Sequence, residues 1–270
     1  MTAQAATPDR ASAEKGFVLE DVRFAVDGAT ILHPLSARIG GGQVLGLVGA
    51  NGSGKSTLLR ILARQTAPSS GRVSFGGRAL ADWGARDLAR EIAYLPQYPQ
   101  TGIGLTAREV VALGRYPWHG PFGRFTANDA ARTDEALRVT ETTDFADRTL
   151  DTLSGGERQR VWLAMLVAQD AGCLLLDEPT SALDISHQIE VLSLIRRLAH
   201  ESGRCIVIVL HDVNMASRFC DRVMGLRGGR LVVSEGIHDF MTPQSLRTVY
   251  GLDMQILPHA THPAGVAIPN

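Results

Sequence analysis

Gly49-Ala50-Asn51-Gly52-Ser53-Gly54-Lys55-Ser56 fits G-x-x-x-x-G-K-[ST], and its neighbours supply the context that pattern needs. Before it, the run from Gln43 to Val48 reads as a strand buried on both faces. After it, Lys55 to Arg64 reads as a helix with Leu58, Leu59, Ile61 and Leu62 on one side. Strand, glycine-rich turn and helix make the first unit of an α/β sheet. Glycines let backbone N–H groups turn inward as an anion nest at a helix N-terminus, where the dipole also favours phosphate. Gly49, Asn51, Gly52, Ser53 and Gly54 form that cradle. Lys55 is placed to reach the β and γ phosphates of a nucleotide, Ser56 to ligate Mg2+, and Thr57 to add a phosphate contact.

Working outward, the α/β alternation resumes late in the chain, with strands at 173–176, 205–210 and 222–226 and helices at 184–199 and 212–220. The long helix sets Ile185, Ile189, Leu192, Ile195 and Leu198 on one stripe. Cys173-Leu174-Leu175-Leu176 delivers Asp177 and Glu178 at a strand's C-terminal end, where open α/β sheets bind ligands. Asp177 suits Mg2+, and Glu178 suits a general base that polarises water. Gln97 follows the strand 92–95 and can reach metal or water. His211 follows the strand 205–210; it is either an ordinary surface histidine or a sensor of the γ-phosphate. Strand 71–75 and short β segments over 17–48 precede an all-helical insert at about 98–168, in which Thr106 with Glu109 reads as a capping box.

The rest of the composition sets bounds. The chain has 270 residues, 44% hydrophobic and 20% charged, which excludes disordered or low-complexity classes and gives one or two domains. A formal charge of -1 offers no long-range pull on nucleic acid or an anionic bilayer, so a bound anion must be held by local geometry. Lys15 and Lys55 are the only lysines among 27 basic residues. The apolar runs 173–176 and 205–210 fall far short of the roughly 20 residues of a membrane span. Residues 1–16 hold no apolar signal region and read as a disordered tail, and 258–270 as a C-terminal tail. Three scattered cysteines point to reduced thiols and the cytosol.

Leu153-Ser154-Gly155-Gly156-Glu157-Arg158-Gln159 resembles the signature of ATP-binding cassette (ABC) ATPases. Ser154 and two glycines opening a helix make a second anion-binding end. The resemblance spans roughly 17–257 and implies a P-loop NTPase core of ABC type, with an N-terminal antiparallel β region and the inserted helical subdomain. It implies a head-to-tail homodimer enclosing two ATP molecules, each held by one subunit's Gly49 loop and the other's Ser154, Gly155 and Gly156. By position, Gln97 is the Q-loop residue, Ser181-Ala182-Leu183-Asp184 the D-loop, with Asp184 at the nucleotide, and His211 the switch histidine. Val26 stands where many such ATPases carry an aromatic that stacks on adenine; Phe24, on the same strand face, substitutes only if the ribbon is displaced.

His33-Pro34-Leu35-Ser36, Ala93-Tyr94-Leu95-Pro96-Gln97, Gly114-Arg115-Tyr116-Pro117-Trp118-His119-Gly120 and Ser181-Ala182-Leu183-Asp184-Ile185 resemble the ATPases of ferric hydroxamate siderophore importers. Related subunits serve haem, catecholate siderophores and cobalamin. The resemblance implies an ATP-hydrolysing subunit, peripheral on the cytoplasmic face of the inner membrane. It would touch the membrane only through integral permease subunits, be linked indirectly to a substrate-binding protein, and contact no nucleic acid. The stretch Tyr116 to His119 is either a packed loop of the insert or a contact with the permease. A DNA-maintenance ATPase shares the nucleotide head, but no sustained heptad run exists here. A GTPase or small-molecule kinase would leave residues 153–159 without a purpose.

Overall fold

The computed structural model describes residues 16–99, 104–120, 122–260 and 262–270. The tail expected over 1–16 lies outside them, apart from Gly16. The described chain opens with β1 (Phe17–Val26) and β2 (Ala29–Ile39), an antiparallel pair longer than the short segments expected from the sequence. Asp27 and Gly28, both at positive φ, close it with the turn whose twist matches paired strands. The pairing slips between Phe24↔Leu32 and Ala25↔Thr30, leaving Ile31 as the extra residue of a bulge. Next come β3 (Val44–Val48), α1 (Lys55–Leu62), β4 (Ser70–Phe75), β5 (Arg78–Ala79), α2 (Ala85–Glu91) and β6 (Ile92–Leu95).

The helical insert follows as α3 (Ala107–Leu113), α4 (Tyr116–His119), α5 (Ala127–Val139) and α6 (Gly155–Gln169). Three of these helices start at capping boxes: Thr106 with Glu109, Thr126 with Asp129, and Ser154 with Glu157. Each box satisfies two otherwise orphaned N–H groups and stabilises its helix by about 1 kcal/mol. Within the insert Arg115 and Asp129 form an ion pair at 3.0 Å, with 2% and 3% of each residue exposed. Burial alone would raise the Asp129 carboxyl; hydrogen bonds from Thr126 and the Arg115 guanidinium outweigh it and hold the group below its ordinary range.

The remainder is β7 (Cys173–Leu176), α7 (Ile185–Ser202), β8 (Cys205–Val209), α8 (Val213–Phe219), β9 (Arg222–Arg227), β10 (Arg230–Gly236), α9 (Ile237–Phe240), α10 (Pro243–Tyr250), β11 (Met254–His259) and β12 (His262–Pro269). The main sheet runs β10-β9-β3-β8-β7-β6, parallel from β9 to β6 with β10 antiparallel at the edge. A second sheet runs β2-β1-β4-β5. Strand residues alternate between two cores: Leu45, Leu47, Cys173, Leu175, Cys205 and Val207 pack toward α1 and the second sheet. Val44, Val48, Leu174, Leu176, Ile206 and Ile208 pack toward α6 and α7. The apolar stripe of α7 starts later than its sequence suggests, because Ile185 is 69% exposed and burial begins at Val191.

Of residues 258–270, expected as a tail, the described ones instead complete the hairpin β11–β12, and β12 packs on α8. Asn214 lends its side-chain amide to the hairpin as a strand residue would. Its Nδ2 donates to the Ala267 carbonyl at 3.1 Å and its Oδ1 accepts from the Ala267 N–H at 2.8 Å. Pairing between residues 53 apart leaves no local signal, and the interspersed Pro and Gly hide the strand pattern.

Candidate functional site

The cradle is built by glycines where a side chain has no room. Gly49 leaves β3 at φ 138°, and a Cβ there would sit 2.1 Å from the Leu226 carbonyl. Gly54 caps α1 at φ 100°, where a Cβ would sit 2.5 Å from Leu32. The Gly229 N–H donates to the Ser53 carbonyl at 3.2 Å, so the β9–β10 turn braces the loop from behind. Lys55 is 4% exposed, its Nζ donating to the Gly49 and Ala50 carbonyls at 2.9 Å each. Burial lowers its ammonium pKa, opposed by the Glu178 and Asp177 carboxylates. Ser53 Oγ is buried without a partner among the described residues, an orphan that a phosphate oxygen would satisfy.

The acidic side faces it from neighbouring strand ends. Asp177 Oδ1 accepts from Ser56 Oγ at 2.8 Å. Burial raises the Asp177 carboxyl, resisted by the Ser56 hydrogen bond and reinforced by the charge of Glu178. These two oxygen groups have the hardness Mg2+ requires, and an ion that keeps several waters needs few protein ligands. Glu178 leaves β7 at φ 50°, a left-handed conformation costing a non-glycine residue about 1–2 kcal/mol. Its two oxygens are flanked: Oε2 accepts from Gln97 Nε2 at 2.5 Å, and Oε1 lies 2.5 Å from His211 Nε2.

Asn51, Gly52, Ser53, Gly54, Lys55, Ser56, Thr57, Gln97, Glu178 and His211 line one cavity of about 430 Å³. Gly49 lies behind it and Asp177 beneath Ser56. Ile31 also lines it, a residue unmarked in the sequence because the β2 bulge turns it inward. Val26 is exposed at the hairpin tip, and Phe24 stays packed against the core rather than offering a stacking face.

Ser154, Gly155, Gly156 and Asp184 are outside this cavity. They gather around the N-terminus of α6. Ser154 Oγ is committed to its own helix, accepting from the Glu157 N–H at 3.2 Å. The first-turn N–H groups of Gly155 and Gly156 have no intrahelical acceptor. Within one chain the start of α6 and the cradle at the start of α1 are therefore two separate places.

On the insert, Pro117 is half-buried and Trp118, though 37% exposed, is tied down by its polar neighbours. Trp118 Nε1 donates to the Gln169 carbonyl at 2.8 Å, and the guanidinium groups of Arg90 and Arg115 each lie 5.0 Å from its ring. Arg86 Nε donates to the Pro117 carbonyl at 2.7 Å and Arg86 Nη2 to that of Trp118 at 2.6 Å. Tyr116, Leu113, Phe122, Phe125 and Tyr98 stay exposed, leaving an apolar surface on the described part of the insert.

A family model described as ABC transporter matches residues 32–181. The chain is 40% identical over 238 residues to the iron(3+)-hydroxamate import ATP-binding protein FhuC of Bacillus subtilis, covering 88% of each chain. It is 42% identical over 234 residues to the hemin import ATP-binding protein HmuV of Pseudomonas putida, covering 85% of this chain and 90% of that one. Among solved structures, a metal-chelate type ABC transporter in an inward-facing conformation superposes with a TM-score of 0.81 at 25% identity, over 95% of this chain and 98% of that one. A dimeric ATP-binding cassette in a post-hydrolysis state, bound to ADP and Pi, superposes with a TM-score of 0.71 at 28% identity, over 82% and 98%.

Proposed function

The chain belongs to the ABC transporter family, and from that premise we propose that it hydrolyses ATP to drive uptake of an iron(III)-siderophore of hydroxamate type through a separate permease. The observation that carries the catalytic part is Glu178, held between Gln97 and His211 at the mouth of the phosphate cradle. Among the described residues no helix is long and apolar enough to cross a membrane, so passage of cargo falls to another protein. The chain itself sits peripherally on the cytoplasmic face of the inner membrane.

Lys55 and the loop N–H groups hold the phosphates, and Ser53 Oγ gains the partner it lacks. Ser56 and Asp177 would hold Mg2+, which would supply charge neutralisation to the phosphates. Glu178 accepts a proton from the attacking water once one of its two nitrogen neighbours turns to the γ-phosphate, and His211 is the one that turns. Two copies pair head to tail, so that Gly155 and Gly156 of one bind the γ-phosphate held by the other, with Asp184 close by. The nucleotide binds closed and open pairs with different affinity, and that difference does the mechanical work. Gln97 links the site to the insert, whose exposed Tyr116, Leu113 and Phe125 receive a permease helix.

The 42% identity to a hemin import protein favours haem as the second cargo. Reconstitution with the permease and binding protein in vesicles tests both. Uptake of ferric hydroxamate that requires internal ATP, with orthophosphate released, is the expected result. Uptake of haem alone selects the second cargo, and hydrolysis that the permease never stimulates overturns the transport assignment.

A further inference from the structure

The N-terminus of α6 meets the first turn of α7 and the loop before it at two contacts. A Cβ on Gly156 would lie 2.4 Å from His187 Cδ2, 2.8 Å from its Cγ and 3.1 Å from its Nε2, all atoms of a single imidazole. A Cβ on Gly155 would lie 3.5 Å from Leu183 Cδ2. The other face of the link is Asp184, whose Oδ2 is 2.9 Å from His187 Nδ1 while its Oδ1 accepts from the His187 N–H at 3.0 Å. A carboxylate at Nδ1 assigns the proton there and leaves Nε2 toward Gly156. Gln188 Nε2 donates to the Thr180 and Leu183 carbonyls at 3.2 and 2.9 Å, and Ser181 Oγ donates to the Glu178 carbonyl at 3.2 Å. An unbroken chain of contacts therefore runs from Glu178 to Gly156 within one subunit.

We propose that His187 is a positioning residue that brackets Asp184 to Gly156, fixing the phosphate-binding end of α6 relative to Glu178. The inference rests on the paired-subunit function above: in such a pair Glu178 serves the chain's own nucleotide and Gly156 the partner's. A rigid link between them makes each site feel the occupancy of the other. Capping of α7 explains only part of this geometry. The Asp184 cap needs a backbone N–H at 187, which any residue supplies; a flat ring pressed on Gly156 is additional. The imidazole in the same chain thus occupies the space that a side chain at position 156 would need.

The test uses the full chain. His187→Phe keeps a flat ring but has no donor for Asp184; His187→Asn keeps a donor but no ring; His187→Ala has neither. Binding of a fluorescent ATP analogue to the dilute single chain is expected to stay within about twofold in all three, since the cradle is untouched. In MgATP turnover, His187→Ala is expected to lower kcat by about tenfold with KM changed less than about threefold, and to bring the Hill coefficient toward 1. His187→Asn and His187→Phe fall between. Gly156→Ala forces the ring away, and in the Gly156→Ala/His187→Ala double variant kcat is expected to recover by about fivefold over Gly156→Ala alone. The inference is overturned if His187→Ala turns over within about twofold of wild type, or if the double variant is no better than Gly156→Ala. Trapping with ATP in a Glu178→Gln background separates the premises. Failure of any pair to form removes the paired-subunit function, whereas a normal pair with unaffected His187 variants removes only the bracket.

Discussion

Replacing Glu178 with Gln keeps the volume of the side chain, removes its negative charge and turns one of its two acceptor oxygens into an NH2 donor. The amide oxygen can still accept from Gln97 Nε2, which bonds one carboxylate oxygen at 2.5 Å, with the NH2 turned toward His211, and the left-handed backbone at φ 50° is unchanged. The fold therefore loses little. Two effects follow at the site. A positioned general base contributes about 10²–10⁴ in rate, so kcat should fall by that factor, about 2.7–5.4 kcal/mol of barrier. The lost charge also stops repelling the triphosphate: at roughly 5 Å and an effective dielectric near 20, one unit pair costs about 3 kcal/mol before screening. ATP should bind at least as tightly as in wild type, and the paired state should persist. Orthophosphate release measures the first effect, and size-exclusion chromatography with MgATP the second. Turnover within about threefold of wild type would remove Glu178 from the base role.

Ser154→Arg places a long cation at the start of α6; it should leave ATP binding by the single chain intact while preventing pairing in the Glu178→Gln background, and loss of single-chain binding contradicts the two-sided site. Asp129→Asn leaves the buried Arg115 guanidinium uncompensated, costing about 3–5 kcal/mol, or about 5–9 °C in Tm at roughly 2.1 cal/mol/K per residue; a drop below about 1 °C contradicts this. Because the Asp129 pKa is depressed on folding, its stabilisation is present above the ordinary carboxyl range near 3.9 and lost as pH falls through the lower folded value, so the gap between variant and wild type should close only under acid. Val26→Tyr supplies a stacking face at the exposed tip of β1 and should lower KM for ATP by about fivefold or more, stacking being worth about 1–3 kcal/mol; an unchanged KM shows that the tip does not face the base.

The phosphate loop, Asp177, Glu178, Gln97 and His211 were legible because each sits at a strand end or helix start marked by residue type and spacing. Buried parallel strands announce themselves as apolar runs, and Thr106 with Glu109 marked a helix start through purely local chemistry. What escaped depends on distant partners. Ile31 reaches the cavity only because a bulge in β2 rotates it. Gly229 braces Ser53 from a turn far along the chain. His187 looks like an ordinary helix residue until Gly156 is brought against it. Ile185 continues an apolar stripe by spacing, yet the first turn of α7 projects beyond the core.

The terminal hairpin carries a consequence for catalysis. Asn214 stitches β12 to α8, and α8 begins with the Asp212 cap directly after His211. Clipping the chain after Leu257 removes that seam and bares the buried flank of a helix only seven residues long. Hydrolysis should register the cut well before circular dichroism does, since the sheet keeps its strands while the imidazole at the head of the loosened helix drifts off its carboxylate.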